Sequence, residues 1–477
     1  MFGNANMVSW KDYEGVEGFQ VGSQQEVDQL NKALAAGQSI NPPGSATAGD
    51  GFSLRVESLE RTLKVTTFKM EHIKFWKQIP KLAAWNTVEE HNALHSYGQN
   101  PDAGFIAEGD LPGEDDSTYE RQFAIIKFLG TTRRVTHPMS LIKPAHGNVI
   151  SMETVNGTIH LLRILERALF FGDSALCALQ FDGYAKQLQA KSNVIDLRGQ
   201  PLSEDVLTDS CLTAFDAPNY GMITDIYLNP KVKADLVKTF FPKERHPTNV
   251  GDMSKVGLDI KGFTSPAGDV MFQPDVFITD GGGVTTAVGD ATKRPATPTI
   301  STPCTTPGPE ALSKFGALDA GDYRLQIQAC NRYGRSAPVA VDAGAVTIGA
   351  AEKFTFGATP GGSTTVEWWE LFRTKKNGAL GTERLVLRVA NAAGAAESII
   401  SEYNDQIPGC YYGFGFQLNL ENLSFKQLAP MVKIPLATID SSIRWMQLLY
   451  GVPVLYTPGK NILFKNIGRA LGYVGNP

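Results

Sequence analysis

Residues 148–179 read NVISMETVNGTIHLLRILERALFFGDSALCAL, and the reading of this stretch decides the fold. Met152, Val155, Ile159, Leu162, Leu165 and Leu169 recur every three or four residues, which is the period of one helical face. Ser151 is placed to cap its start. At about 1.5 Å per residue, roughly 30 residues make a rod about 45 Å long, more than the usual globular helix. Gly157 and Gly172 are the points where it would break. Such a rod is a beam on which other elements lean. It is not a membrane span, because Arg163, Glu166 and Arg167 interrupt its most apolar part and no stretch of the chain approaches about 18 apolar residues.

Upstream of the beam, residues 123–129 and 131–136 read as two strands around Gly130. An acidic turn precedes them, in which Glu108, Asp110, Glu114, Asp115, Asp116 and Glu120 surround Gly109, Pro112 and Gly113. The pattern predicts a long two-stranded excursion with a charged tip. The carboxylate spacing is not that of a calcium-binding loop, so no metal is expected there. Residues 52–100 carry the opposite charge: Arg61, Lys64, Lys69, Lys74, Lys77 and Lys81, interleaved with Phe68, Phe75 and Trp76. A basic-aromatic run of this kind suits nucleic acid in some proteins, but a solvated or ion-paired face is the simpler reading. Nearer the start, Ser23-Gln24-Gln25-Glu26 fits a capping box for a helix through Val27, Leu30 and Leu34, stopped at Gly37 and tethered by the turn-rich residues 39–51.

Downstream, residues 201–215 read as a helix capped by Ser203, and 220–228 as a strand. Asn229-Pro230 then opens a helix with Val232, Leu236, Val237 and Phe240 on its apolar side. Short apolar pieces follow, with 276–278 the clearest. The cadence is that of an α+β or mixed α/β domain. The composition changes near residue 288. Residues 292–309 are proline-rich and read as a linker, after which 322–328, parts of 352–356 and 365–372, and 384–389 alternate with period two. These predict an inserted β-sandwich of roughly 90–100 residues. Mixed character returns after 395. Residues 411–420 alternate, 436–449 read as a helix with Trp445 and Met446 partly buried, and 452–456 read as a strand. Short apolar pieces at 462–464 and 471–474 close a discontinuous domain.

Composition narrows the function. A 477-residue chain suggests about three domains. With 19% charged residues, 47 glycines and 27 prolines it is neither a coiled coil nor a wholly disordered chain. A net charge of −5 excludes a broadly basic nucleic-acid wrap. The first residues show no basic head followed by an apolar core, so no secretory signal is expected. Five widely spaced cysteines read as small buried thiols in a reducing compartment. His91 and His95 stand in the order H-N-A-L-H, which lacks the glutamate position of a zinc protease. Neither a nucleophile elbow nor a phosphate-binding loop is present; 458–461 lacks the glycine loop, and Gly281-Gly282-Gly283 lacks the strand-to-helix setting. The expectation is therefore no catalytic residue, no cofactor and no metal.

Several short motifs then add a resemblance. Residues 425–430 (FKQLAP), 433–437 (KIPLA), 448–451 (LLYG), 460–461 (KN) and 466–469 (NIGR), with 227–230 (YLNP), are similar to a branch of large-phage capsid proteins. Taken in order, the segments resemble the major capsid proteins of tailed bacteriophages, with the Hong Kong 97-type fold. Residues 321–323 and 329–336 look like a late strand of a fibronectin type III unit, and 368–373 like an early one, an order that implies a permuted sandwich or two partial ones.

The resemblance implies an α+β fold divided as an N-terminal arm (1–51), an extended loop with flanking peripheral segments (52–138), a peripheral domain with its spine helix (139–200), an axial domain (201–290), an inserted immunoglobulin-like sandwich (291–396), and a second axial and peripheral part (397–477). It also implies a non-enzymatic protein of the virion, assembled in the host cytoplasm into pentamers and hexamers of an icosahedral shell around double-stranded DNA. The insert would face outward as a decoration. Partners would be copies of the chain, minor capsid, cement or scaffolding proteins, and weakly contacted DNA, with no membrane. Complementary charge fixes register between subunits. On that basis Lys69, Lys74 and Lys77 are expected to face Glu108, Asp110, Glu114, Asp115 and Asp116 of a neighbour, with Lys74 and Lys77 against Glu114 and Asp116 foremost. No lysine–asparagine crosslink motif is recognisable, and the first 50 residues are short for a cleaved scaffold. The alternatives are a tail or portal component, or a surface-binding protein built on the sandwich.

Overall fold

A computed structural model describes residues 8–9, 20–21, 67–98, 105–111, 113–142, 147–189, 193–240, 260–304, 308–392, 397–438 and 440–470. The chain divides into two units, residues 1–64 with 143–147, and 65–142 with 148–477. In the first, Val8–Ser9 pairs antiparallel with Gln20–Val21. The helix expected through Leu34, and Arg61 and Lys64, lie outside the described residues. All other elements belong to the second unit.

The beam is a helix over Val149–Phe171, 23 residues and so about 35 Å long. It is shorter than the sequence suggests because Gly172 leaves the helical conformation, where a Cβ would press on the carbonyl oxygens of Phe181 and Ala168 at 2.5 and 2.6 Å. Its cap is Asn148, not Ser151: the Asn148 side chain accepts from the backbone N–H groups of Ile150 and Ser151. Gly157 does not break the helix. Its missing side chain admits Gln447, whose Nε2 donates to the Thr154 carbonyl at 2.8 Å and to Thr158 Oγ1 at 3.1 Å.

Gln447 comes from a four-stranded sheet in the order Lys81–Ala83, Leu423–Pro435, Ser442–Leu455, Lys127–Thr136. The helix expected over 436–449 is therefore a correction: from Ser442 onward that segment is a 14-residue strand. Trp445, Gln447 and Leu449 are buried while the residues between them are half-exposed, a period of two. Strands hydrogen-bonded along both edges satisfy its backbone, which outweighs the helical propensity of its Leu, Met and Gln residues. A second correction concerns Gly130. It lies inside the single strand Lys127–Thr136, opposite Leu448, where a Cβ would meet a leucine methyl at 2.6 Å. The two-stranded excursion is instead the antiparallel hairpin of Val88–Ser96 with Thr118–Ile125. Buried Ile126 is the pivot between hairpin and sheet.

A six-stranded mixed sheet follows the order Val194–Asp196, Ile462–Ile467, Tyr411–Phe416, Asp225–Leu228, Gly268–Pro274, Gly262–Ser265. Alternation divides its side chains between two cores. Tyr227, Phe414, Phe416 and Leu463 pack with the long helix and the four-stranded sheet, whereas Ile226, Leu228, Ile462 and Phe464 pack under helices Glu204–Phe215 and Pro230–Phe240. Both helices begin where their caps predict: Ser203 Oγ accepts from the Val206 N–H at 3.4 Å, and Asn229 Oδ1 from the Lys231 N–H at 2.9 Å. The strand expected over 220–228 is only Asp225–Leu228, and residues 276–278 form no strand, because Asp275 Oδ1 turns the chain by accepting the Phe277 N–H.

Between Val288 and Glu402 the described chain consists of strands, turns and a single 3-10 turn. One sheet runs Val288–Gly289, Gly334–Arg335, Leu325–Asn331, Trp368–Arg373, Arg384–Ala390, a second gathers Thr299–Thr302, Gly308–Pro309 and Ser398–Glu402 on Glu352–Thr359, and Gly321–Tyr323 pairs with Val346–Ile348. The proline-rich stretch read as a linker thus supplies a strand, with Ile300 opposite Ala358. Ile327, Phe354, Phe356, Trp369, Leu371 and Ile400 share a core separate from the other two. All five cysteines are free thiols, and four are buried.

Candidate functional site

The hairpin is the least self-contained part of the second unit. Among the described residues its strands pair only with each other, and neither strand contains a buried residue. Tyr97 is 87% exposed, Phe105 90%, Leu111 87%, Tyr119 69% and Phe123 70%. A lone two-stranded hairpin is marginal in water, and large apolar side chains left exposed on one mark a place where something binds. A nine-residue strand at about 3.4 Å per residue gives a reach of about 30 Å. The hairpin is tied across by Arg121 to Glu90 and by His95 Nε2 to Glu120 Oε2 at 2.6 Å. At the root, Lys426 Nζ meets Glu89 Oε2 at 3.0 Å, and Glu89 also accepts the Trp85 and Asn86 N–H groups. Burial opposes the Glu89 charge, but these donors outweigh it and hold the carboxyl below its ordinary range.

His91 and His95 share a strand without sharing a ligand. The His91 ring stands edge-on to Tyr456 at 4.8 Å, and burial, then the Lys426 charge, push its imidazole down. Among the described residues no group of three His, Cys, Asp or Glu side chains is placed to hold a metal.

Glu108, Asp110, Glu114, Asp115 and Asp116 all lie exposed in the loop that joins the hairpin strands. Lys69 is exposed ahead of a 3-10 turn, Lys77 Nζ donates to the Met70 carbonyl at 2.7 Å, and Lys74 is half-buried with its charge near Asp275. None of the three lysines forms an ion pair with those carboxylates among the described residues. Within one subunit the two sets are not brought together.

A site that the sequence reading missed lies at the foot of this region. Glu166, on the long helix, is fully buried and its carboxylate accepts the backbone N–H groups of Lys74, Phe75 and Trp76 at 2.9, 2.7 and 2.9 Å. It thereby caps the short helix Phe75–Gln78. The Phe75 ring is the hub of an aromatic cluster, 4.9 Å from Phe170 and Tyr227 and 5.3 Å from Phe416. Asp275, also fully buried, lies close enough to Glu166 for the two carboxyls to interact. Burial, then repulsion from Asp275, push the Glu166 carboxyl up to about 8, and burial pushes Asp275 up as well. Two adjoining buried carboxyls do not both ionise, so at neutral pH the pair holds a proton between them. The signal was present: Glu166 falls on the apolar stripe of Leu162, Leu165 and Leu169, where a charge requires a partner.

No family model matches the chain. Over 462 residues it is 24% identical to the major capsid protein assigned in Enterococcus phage phiEF24C, spanning 92% of this chain and 95% of that protein. Over 457 residues it is 22% identical to the major capsid protein of Staphylococcus phage K, again spanning 92% and 95%. Among solved structures, the capsid of a native GTA particle aligns over 90% of this chain and 99% of its own, with a TM-score of 0.46 and 8% identity. Along nearly its whole length, the chain is a homologue of phage major capsid proteins.

Proposed function

We propose that this chain is a major capsid protein of the Hong Kong 97 type, whose copies form the pentamers and hexamers of a closed head shell around double-stranded DNA. The observation that carries this reading is the hairpin, whose exposed aromatic faces find no cover in their own strand pair. A neighbouring copy supplies that cover when the same surfaces are reused by symmetry. The similarity to capsid proteins from one end to the other supports the same role. The acidic loop tip, with Glu108, Asp110, Glu114, Asp115 and Asp116, and the exposed Lys69 and Lys77 upstream of the hairpin are contact groups between subunits; Lys74, half-buried toward Asp275, contributes least.

The strand-rich segment, read as an immunoglobulin-like insert over 291–396, is an outward decoration. Its separate core supports this, since a module that packs on itself can be carried without remodelling its host. The role is structural and needs no cofactor. Expression of the full chain followed by gradient sedimentation and negative-stain imaging tests it. Closed shells or five- and six-fold rings are expected, and a chain that stays monomeric at high concentration overturns the reading.

A further inference from the structure

In the strand-rich segment the turn over residues 290–297 and the loop over 361–364 border a cleft of about 440 Å³. Its two walls are held together by the chain itself. Asn331, only 7% exposed, donates through Nδ2 to the Lys293 carbonyl at 2.8 Å and to the Thr365 carbonyl at 3.2 Å. Its Oδ1 accepts the Tyr333 and Gly334 N–H groups at 2.9 and 3.1 Å, so its amide is fully used. At one edge the walls touch: a Cβ on Gly361 would lie 1.7 Å from the Thr297 carbonyl oxygen. Pro295 is buried, and the Arg294 N–H donates to the Asp290 carbonyl at 2.8 Å, which fixes the backbone that carries the arginine. The cleft is thus formed before anything enters it.

Four polar side chains line it: Arg294, Thr297, Ser363 and Thr364. Among the described residues none of these four has a side-chain hydrogen bond or an ion pair. The neighbouring cations are already matched, Lys293 Nζ with Asp290 Oδ2 at 3.7 Å and Arg332 Nε with Glu367 Oε1 at 3.2 Å. Half-buried Arg294 therefore sets the sign of the cleft, and among the described residues no carboxylate lines it. A guanidinium without a counter-ion beside three unengaged hydroxyls is a donor set for an oxyanion: the planar fork takes two oxygens, and the hydroxyls donate to others. The rest of the wall is alanine, proline and glycine. Such walls admit a compact polar body and offer no ring on which a base or another aromatic group could stack.

We infer that this cleft binds a phosphate or sulfate ester of a small sugar or polyol, with the Arg294 guanidinium holding two ester oxygens and Thr297, Ser363 and Thr364 hydrogen-bonding the remaining oxygen and the polyol hydroxyls. The inference does not depend on the shell reading, because residues of the strand-rich segment and its lead-in strand line the whole cleft. Double-stranded DNA is the less suitable ligand: its backbone is held by rows of cations, and this cleft presents one.

The test is calorimetric titration of the full-length chain at constant ionic strength with glucose phosphate, glucose sulfate and unmodified glucose, and it reads the same whether or not the chain has assembled. Saturable binding of at least one ester is expected, with glucose about tenfold weaker or more. Whichever ester binds more tightly identifies the natural source of the oxyanion. Arg294→Gln is expected to weaken the ester about tenfold or more, and Arg294→Lys, which keeps the charge and loses the fork, about threefold. Lys293→Gln should stay within about twofold, since Asp290 already pairs that lysine. Near-UV circular dichroism reports whether each variant keeps its packing. If Arg294→Gln alters it, Ser363→Ala combined with Thr364→Val is titrated in its place, with a loss of about fivefold. Failure of both esters to bind, equal binding of glucose, or an affinity that survives the loss of Arg294 overturns the inference. A short DNA duplex that displaces the ester and binds more tightly overturns it equally and assigns the cleft to nucleic acid.

Discussion

The hairpin and the strand-rich segment between Val288 and Glu402 are both excursions built from alternating sequence, yet they dispose of their apolar side chains in opposite ways. The segment folds two sheets against each other and buries Phe354, Phe356 and Trp369 almost completely. Among the described residues the hairpin meets no second sheet, and Tyr119 and Phe123 remain in solvent. Fully burying one large apolar side chain is worth about 1.5–3 kcal/mol, so the first region is stable by its own contacts while the second leaves that energy for a partner. Period two fixes which side chains share a face; it does not say whether anything covers that face.

The largest effect that can break this contrast is in the segment. Trp369→Ala is expected to destabilise the unassembled subunit by about 3–5 kcal/mol, measured by denaturant unfolding. A loss under about 1 kcal/mol would show that the segment does not depend on its own core. Next comes the buried carboxylate that holds the chain at residues 74–76, ahead of the hairpin. Glu166→Ala strips the N–H groups of Lys74, Phe75 and Trp76 of their acceptor, and about 2–4 kcal/mol should be lost. Faster amide exchange at 74–76 than elsewhere in the core would localise the loss, and unchanged exchange there would refute it.

A smaller effect depends on pH. Because the folded Glu166–Asp275 pair binds its proton more tightly than the unfolded chain does, its stabilisation is complete at acid pH. It declines as pH rises from the ordinary carboxylate range toward about 8 and is level above that. Asp275→Asn keeps the acceptor for the Phe277 N–H and puts a donor where Oδ2 has no partner. The variant should gain on the parent chain by about 1–3 kcal/mol between pH 5 and 8. A parallel pair of stability–pH curves would dismiss the shared proton. The smallest effect completes the comparison. Replacing Tyr119 and Phe123 by serine should change subunit stability by no more than about 0.5 kcal/mol while markedly reducing assembly. A drop of about 2 kcal/mol in the isolated subunit would mean that the hairpin is covered at home.

Elements with local causes were legible in the residues. The long helix follows from its own spacing, and the helices after Ser203 and Asn229 follow from cap chemistry within a few positions. The acidic tip could be read as a tip because glycine and proline surround it. The strand at 442–455 could not be read, because its residues suit a helix and only strands drawn from 127–136 and 423–435 settle the matter. Gly130 read as a break for the same reason: the close approach of Leu448 that calls for a glycine is a contact across more than 300 positions.

By itself, the amino-acid order determined the long amphipathic helix, the capped helices, the strand-rich segment and the opposed charges near the start, since each depends on spacing or on groups a few residues apart. Tertiary structure alone decided that Glu166 and Asp275 share a proton, that Arg335 and Arg388 flank buried Glu370, and that Tyr119 and Phe123 stand exposed. Those facts depend on desolvation and on charges at short range, and both come into being only when distant parts of the chain are packed together.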